Sequence, residues 1–134
     1  MRPKYFKPYD GRIPNEERVD TVLSWFDLPR QDRPTMITLY FSDVDDAGHA
    51  NGPDSEKTGE AVLKVDKAIE RLNRGLAAIG ADRSTNIIIT SDHGMAPVTR
   101  YVQFPIQDAV AGIGERYGYF VDATMARVWC AGEQ

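Results

Sequence analysis

The chain contains two histidines, His49 and His93, and aspartates stand beside each of them. Residues 43–48, which hold three of these acids, lead directly to His49, and Asp92 immediately precedes His93. Imidazole nitrogens and carboxylate oxygens together suit zinc and related divalent ions. An acidic segment is also common as a solvated surface, and an Asp-His pair can simply cap a turn. The two segments therefore indicate a metal site only if the fold brings them together.

The elements that would position these residues are two predicted strands and a helix. Residues 36–41 and 86–90 are short, apolar and typical of buried strands, and a helical pattern from Val62 to Ile79 lies between them. This order predicts a βαβ unit over about residues 36–91, with parallel strands and a right-handed crossover. Ligands bind at the carboxyl ends of such strands, so both Asp/His segments would share one edge. The expected fold class is α/β, a mostly parallel sheet with flanking helices.

Other boundaries follow from local signals. Asn15 is expected to cap a helix that runs from Glu16 to about Phe26, and Asp54 or Ser55 to cap the long helix, which ends at Gly80. Residues 42–53 read as a polar loop. After Pro97 the pattern weakens: the sequence predicts a strand at 101–104, a helix at 106–113 and strands at 117–121 and 126–130.

Composition narrows the classes of function. The 134 residues suit one domain. A net charge of −4 with scattered basic residues argues against binding to a nucleic-acid duplex. The single cysteine, Cys130, excludes an intrachain disulfide. The sequence has no apolar run long enough to span a membrane, and we expect that residues 1–8, which lack an apolar segment, are not a signal peptide.

Two motifs add a family resemblance. Residues 45–53 read DxxGHxxGP and residues 91–95 read SDHGM, in this order and with a helix between them. Together with residues 17–34 they resemble the type I phosphodiesterase/nucleotide pyrophosphatase family, within the alkaline phosphatase superfamily, over roughly residues 17–98. The resemblance implies that residues 1–134 are an internal part of an alkaline-phosphatase-like catalytic domain. It also implies hydrolysis of phosphodiester or pyrophosphate bonds in nucleotide-type substrates.

The resemblance also implies two zinc ions as cofactors. Asp45 and His49 match the pair that binds one zinc in the family, and Asp92 and His93 match the pair that binds the other. Many members have Glu-Pro where this chain has Asp43-Val44, so the choice among the three acids stays open, with spacing favouring Asp45. The family's Thr or Ser nucleophile, an upstream Asp and a downstream His match no position here. We therefore expect the catalytic nucleophile to lie outside this chain, and the isolated chain to be nearly inactive.

Two alternatives remain beside this interpretation. One is another phosphoryl hydrolase of the same superfamily, such as a phosphomonoesterase, a phosphonate hydrolase or a sulfatase-like enzyme. The other is a non-catalytic chain that binds metal weakly or pairs with another subunit. Apolar faces of an incomplete domain predict self-association. Members of the family are often secreted, periplasmic or membrane-anchored, so only the resemblance points to an extracytoplasmic location.

Overall fold

The computed structural model describes residues 3–100, 117–122 and 125–130. The chain divides into two compact units at Pro97 and Val98. The first unit contains three α-helices, which are α1 (Asn15–Ser24), α2 (Asp43–Asn51) and α3 (Glu56–Ala78). It also contains three 3-10 turns, at Trp25–Asp27, Arg30–Asp32 and Asp82–Ser84. In the second unit β1 (Tyr117–Asp122) and β2 (Met125–Cys130) form an antiparallel pair, with Tyr117 opposite Cys130.

Both ends of α3 are fixed by local hydrogen bonds. At its start the Ser55 hydroxyl oxygen accepts a hydrogen bond from the Thr58 main-chain N–H at 3.2 Å, as an N-cap does. At its end Gly80 adopts φ +69°, and the Ala81 N–H donates to the Leu76 carbonyl oxygen at 2.8 Å. This is the Schellman pattern, in which glycine supplies the left-handed residue at little cost. The predicted helix and its end at Gly80 are therefore confirmed.

A small core forms between α1 and α3. Gly75 on α3 allows close approach, because a Cβ atom there would collide with Cδ1 of Leu23. At the rim, the Arg71 guanidinium donates to both carboxylate oxygens of Asp20 at 2.8 and 2.9 Å. The buried apolar side chains are those of Val19, Val22, Ala68 and Leu76. These contacts join the first and third helices into a scaffold.

The predicted mostly parallel sheet is wrong. Residues 36–41 and 86–90 are not strands, no backbone hydrogen bonds join them, and residues 3–100 contain no strand. A strand needs a hydrogen-bonded neighbour, and the described residues provide none for either segment. Ile88 and Ile89 are accordingly 87% and 70% exposed rather than covered on both sides. The sheet that the structure describes is the antiparallel pair of β1 and β2.

Two local predictions also need correction. Residues 42–53 are not a loop, because they contain α2, whose three acids lie in its first turn, where the helix dipole favours them. Gly52, with φ +91°, ends this helix. Asn15 does not cap α1, which begins after Pro14 without a side-chain cap. The Asn15 side-chain amide is instead buried and donates to Oδ2 of Asp43 at 2.8 Å.

Several predictions fall in the second half of the chain. The strand predicted at 101–104 and the helix predicted at 106–113 lie outside the described residues. The strands predicted at 117–121 and 126–130 correspond to β1 and β2. None of the helices in the described part of the chain is long and apolar enough to cross a bilayer.

Candidate metal site

Helix α2 places Asp45 and His49 on one face. They are four residues apart, the spacing at which side chains on a helix meet. Nε2 of His49 lies 3.3 Å from Oδ1 of Asp45. The contact is not a hydrogen bond, because Oδ1 of Asp45 has no hydrogen-bond partner within the described residues. The first Asp/His pair is therefore formed by local helix geometry alone.

The second segment, residues 91–95, brings His93 to the same carboxylate. Nε2 of His93 lies 3.7 Å from Oδ1 of Asp45 and 3.7 Å from Oδ2 of Asp92. All four residues that the sequence singled out thus lie in one cluster: Asp45, His49, Asp92 and His93. They meet although residues 36–41 and 86–90 form no sheet among the described residues.

One oxygen of the Asp45 carboxylate is in an unfavourable environment. The Asp45 side chain is 36% exposed overall, yet Oδ1 is covered from solvent and has no hydrogen-bond partner among the described residues. A covered carboxylate oxygen without a partner is costly, and native structures rarely leave one. Two imidazole nitrogens stand beside this oxygen. Zinc bonds of about 2.1 Å in a tetrahedron put neighbouring ligand atoms about 3.4 Å apart, which is close to the separations seen here.

The orientation of His93 is fixed by its neighbours. Nδ1 of His93 donates to the Gly94 carbonyl oxygen at 3.0 Å, since a carbonyl can only accept. The main-chain N–H of His93 donates to Oδ1 of Asp92 at 3.1 Å. The bond to Gly94, followed by the charges of Asp92 and Asp45, raises the pKa of His93. With Nδ1 engaged, Nε2 is the nitrogen left to bind an ion.

The three acids of α2 differ in their partners. Asp43 forms an ion pair with Lys64 and accepts a hydrogen bond from Asn15, and its side chain is only 14% exposed. Although burial acts to raise it, the bonds from Lys64 and Asn15 hold the pKa of Asp43 below its usual value. Asp46 accepts a hydrogen bond from the Ser42 hydroxyl at 2.8 Å. Asp45 alone of the three has an oxygen directed at the histidines, so the geometry favours it as the ligand.

Tyr9 and Tyr40 are residues that sequence reasoning missed. Their rings meet edge to face with centroids 5.7 Å apart, and they are 58% and 52% exposed. Loss of solvent around Tyr40, then the charges of Asp92 and Asp45, raise the pKa of its hydroxyl. Tyr40 lies just before α2 in the sequence, and this position could have indicated that its ring is close to the acids of α2. An exposed aromatic surface therefore adjoins the acidic cluster.

The cluster is a partial site. No group of three or more histidine, cysteine or acidic side chains among the described residues is arranged to hold one ion by itself. The donors instead occur as two Asp/His pairs, one on α2 and one in residues 91–95. Their chemistry fits zinc, and additional ligands would be needed to complete a catalytic site of the usual kind.

The sequence of this chain also matches known proteins. The family model described as type I phosphodiesterase / nucleotide pyrophosphatase matches residues 1–127. An ectonucleotide pyrophosphatase/phosphodiesterase family member 1 from Mus musculus is 43% identical over 93 residues, covering 69% of this chain and 10% of the mouse protein.

Two further relatives come from other organisms. An uncharacterized pyrophosphatase/phosphodiesterase from Schizosaccharomyces pombe is 41% identical over 98 residues, 73% of this chain and 20% of that protein. A venom phosphodiesterase from Crotalus durissus collilineatus is 39% identical over 97 residues, 72% of this chain and 12% of its own length. The chain thus spans a tenth to a fifth of the length of these relatives.

Proposed function

The chain belongs to the type I phosphodiesterase / nucleotide pyrophosphatase family, and on that premise we propose that it takes part in metal-dependent hydrolysis of phosphodiester or pyrophosphate bonds in nucleotides. One observation carries the proposal. Oδ1 of Asp45 is covered and accepts no hydrogen bond from the part of the chain that the structure describes, and Nε2 of His49 and Nε2 of His93 lie beside it. One divalent cation at Asp45 and His49, and a second at Asp92 and His93, would satisfy these donor atoms.

In this proposal Asp45 and His49 hold one zinc ion, and Asp92 and His93 hold the second. When bound, two zinc ions stabilise the charge on a phosphoryl group and lower the pKa of a coordinated hydroxyl. The chain's own part is to present the donor atoms in fixed positions. Helix geometry orients Asp45 and His49, and the Gly94 carbonyl oxygen orients the ring of His93.

The aromatic surface at Tyr9 and Tyr40 supports the proposal that the substrate is a nucleotide. Exposed tyrosine rings can stack on any of the nucleobases, because every base has a flat aromatic face. Tyr9 is also held in place, because its hydroxyl lies 2.7 Å from the hydroxyl oxygen of Ser42, which donates to Asp46. A ring fixed beside the acidic cluster could receive the base of a substrate whose phosphate reaches the ions. Tighter binding of AMP than of ribose 5-phosphate to the zinc-loaded chain would be the expected result, and equal binding would contradict it.

We assign no nucleophile within this chain. Each ion is offered two protein ligands, whereas catalytic zinc sites usually have three and an open position. We therefore expect no zinc-dependent hydrolysis by the purified 134-residue chain when a nitrophenyl phosphodiester is the substrate. Measurable turnover that disappears with a chelator would show that the chain supplies more of the site than we propose.

The rival is a non-catalytic chain that binds metal weakly or pairs with another subunit. The lack of a complete three-ligand cluster among the described residues favours it. The rival and the proposal both allow zinc binding, but only the proposal requires both Asp/His pairs to act on a phosphate. Binding of AMP that depends on zinc, and is lost when Asp92 and His93 are both replaced by alanine, would exclude the rival.

The first experiment is a calorimetric zinc titration of the metal-free chain. We expect up to two ions to bind the wild type, and His49→Ala and His93→Ala each to lose one. Asp46→Asn is the matched control, because Asp46 is an acid of the same helix turn that is bonded to Ser42 instead. Equal stoichiometry in all four proteins would contradict the assignment of these histidines.

A further inference from the structure

The contact between Gly48 and Met95 joins the two halves of the candidate site. Gly48 is buried in the turn of α2 that carries Asp45 and His49, and Met95 follows His93 by two residues. We propose that Met95 is a positioning residue, which holds the His93 segment against α2 by packing its thioether on the bare backbone of Gly48. The consequence for metal binding rests on the proposed function, whereas the contact itself does not.

The space at Gly48 is filled by Met95. A Cβ atom at position 48 would lie 2.6 Å from Sδ and 3.1 Å from Cε of Met95. Non-bonded heavy atoms normally stay about 3.5–4.0 Å apart, so a side chain at position 48 would displace the thioether. The flexible, polarizable methionine side chain is well suited to fill such a site.

Between the described residues 43–51 and 91–95 no hydrogen bond holds the two segments together. Nε2 of His93 approaches Oδ1 of Asp45 only to 3.7 Å, which is too long for a hydrogen bond. The bonds that orient the His93 ring and main chain run to its own neighbours, Gly94 and Asp92. The packing of Met95 on Gly48 is thus the close contact that can set how near His93 comes to Asp45.

A matched contact exists away from the site. Gly75 on α3 is covered by Leu23, and a Cβ atom there would collide with Cδ1 of Leu23. Both glycines are helical and both face a flexible side chain. Gly75→Ala is therefore a control for the general effect of forcing a methyl group into a tight helix contact.

The test begins with NMR spectra of the metal-free chain. We expect an NOE between the Met95 methyl group and the Gly48 α-protons. Gly48→Ala and Met95→Ala should each shift the His93 ring and Asp45 amide signals. The double variant should return these signals toward their wild-type positions, because the new methyl group at residue 48 occupies space that the thioether vacated. Gly75→Ala should leave them in place while lowering the unfolding midpoint.

Zinc titration of the same proteins measures the consequence. Each single variant at the junction should weaken binding by ~10-fold, the lower end of what outer ligand-supporting groups contribute, and the double variant should recover most of the loss. An absent NOE, unmoved His93 and Asp45 signals in Met95→Ala, or equal shifts in Gly75→Ala would overturn the proposal. A wild-type chain that shows the NOE and the shifts but binds no zinc would overturn the proposed metal sites and leave the positioning role of Met95 supported.

Discussion

The α1–α3 interface and the junction between α2 and residues 91–95 each contain a glycine covered by a flexible side chain. Gly75 and its neighbour Leu23 lie on α3 and α1, the helices that carry the buried side chains Val19, Val22, Ala68 and Leu76. Around Gly48 the neighbours are instead half-exposed ligand types, with the Asp45 side chain 36% and the His93 side chain 56% exposed. The first interface is held by apolar burial, whereas the second leaves one carboxylate oxygen, Oδ1 of Asp45, without a hydrogen-bond partner among the described residues.

This difference separates stability from function within one helical unit. Burial of apolar side chains supplies most of the free energy of folding, and here it lies where α1 meets α3. Unpartnered polar groups lower stability, and their persistence at a site is commonly a functional feature. Substitutions in the first region should therefore change the free energy of unfolding, and substitutions in the second should chiefly change ligand binding.

The largest effect is expected at Leu76. Replacing this side chain, which is 2% exposed, with alanine should lower the free energy of unfolding by about 2–5 kcal/mol, through lost burial and the cavity left behind. Leu63→Ala on the same helix is the control, since Leu63 is 61% exposed and its loss should cost less than about 0.5 kcal/mol. Urea unfolding followed by circular dichroism measures both. Equal losses in the two variants would show that the described core is not where stability resides.

An intermediate effect is expected at Asp43, which links the two regions. Asp43→Asn removes the ion pair with Lys64, and should cost about 1–3 kcal/mol, towards the lower end because Lys64 stays 59% exposed to screening solvent. The cost should depend on pH. The folded-state pKa of Asp43 is lowered, so its contribution is present above the unfolded value of about 3.9 and is lost as pH falls through the folded value.

Urea midpoints of wild type and Asp43→Asn at several pH values check this sign. The difference between the two urea midpoints should have its largest value near pH 6 and should decrease progressively below about pH 4. A gap that grew as the pH fell would mean that Asp43 is not held ionised by its neighbours. Lys64→Met, which removes the other partner, should show the same trend.

The smallest effect on stability is expected at Ile88. This residue is 87% exposed, so Ile88→Ser should change the free energy of unfolding by less than about 0.5 kcal/mol. Ile88, Ile89 and Met36 nevertheless present exposed apolar side chains on segments without a strand partner, and such surfaces favour association. We expect light scattering to show oligomers of the wild type that Ile88→Ser reduces. A monodisperse wild-type monomer would contradict the expected self-association.

The sequence predicted the helices better than the sheet. Glu56–Ala78 and its end at Gly80 follow from an apolar repeat and a glycine, which are local signals. The segments 36–41 and 86–90 carry an equally local strand pattern, but a strand forms only where another strand pairs with it. The acids at the start of α2 favour a helix, because they lie in its first turn. The interpretation of these acids as part of a metal-binding loop misses this helix.

By itself the sequence determined the family, the two Asp/His pairs and the long helix between them, because motif, spacing and periodicity are properties of short segments. Only the tertiary structure decided which acid faces the histidines. Asp43 is engaged by Lys64 and Asn15, which lie 21 and 28 residues away along the chain, and no local pattern encodes such contacts. The physical reason is that partners compete for each carboxylate in space, and Asp45 is the acid of the three whose Oδ1 lies beside the two histidines.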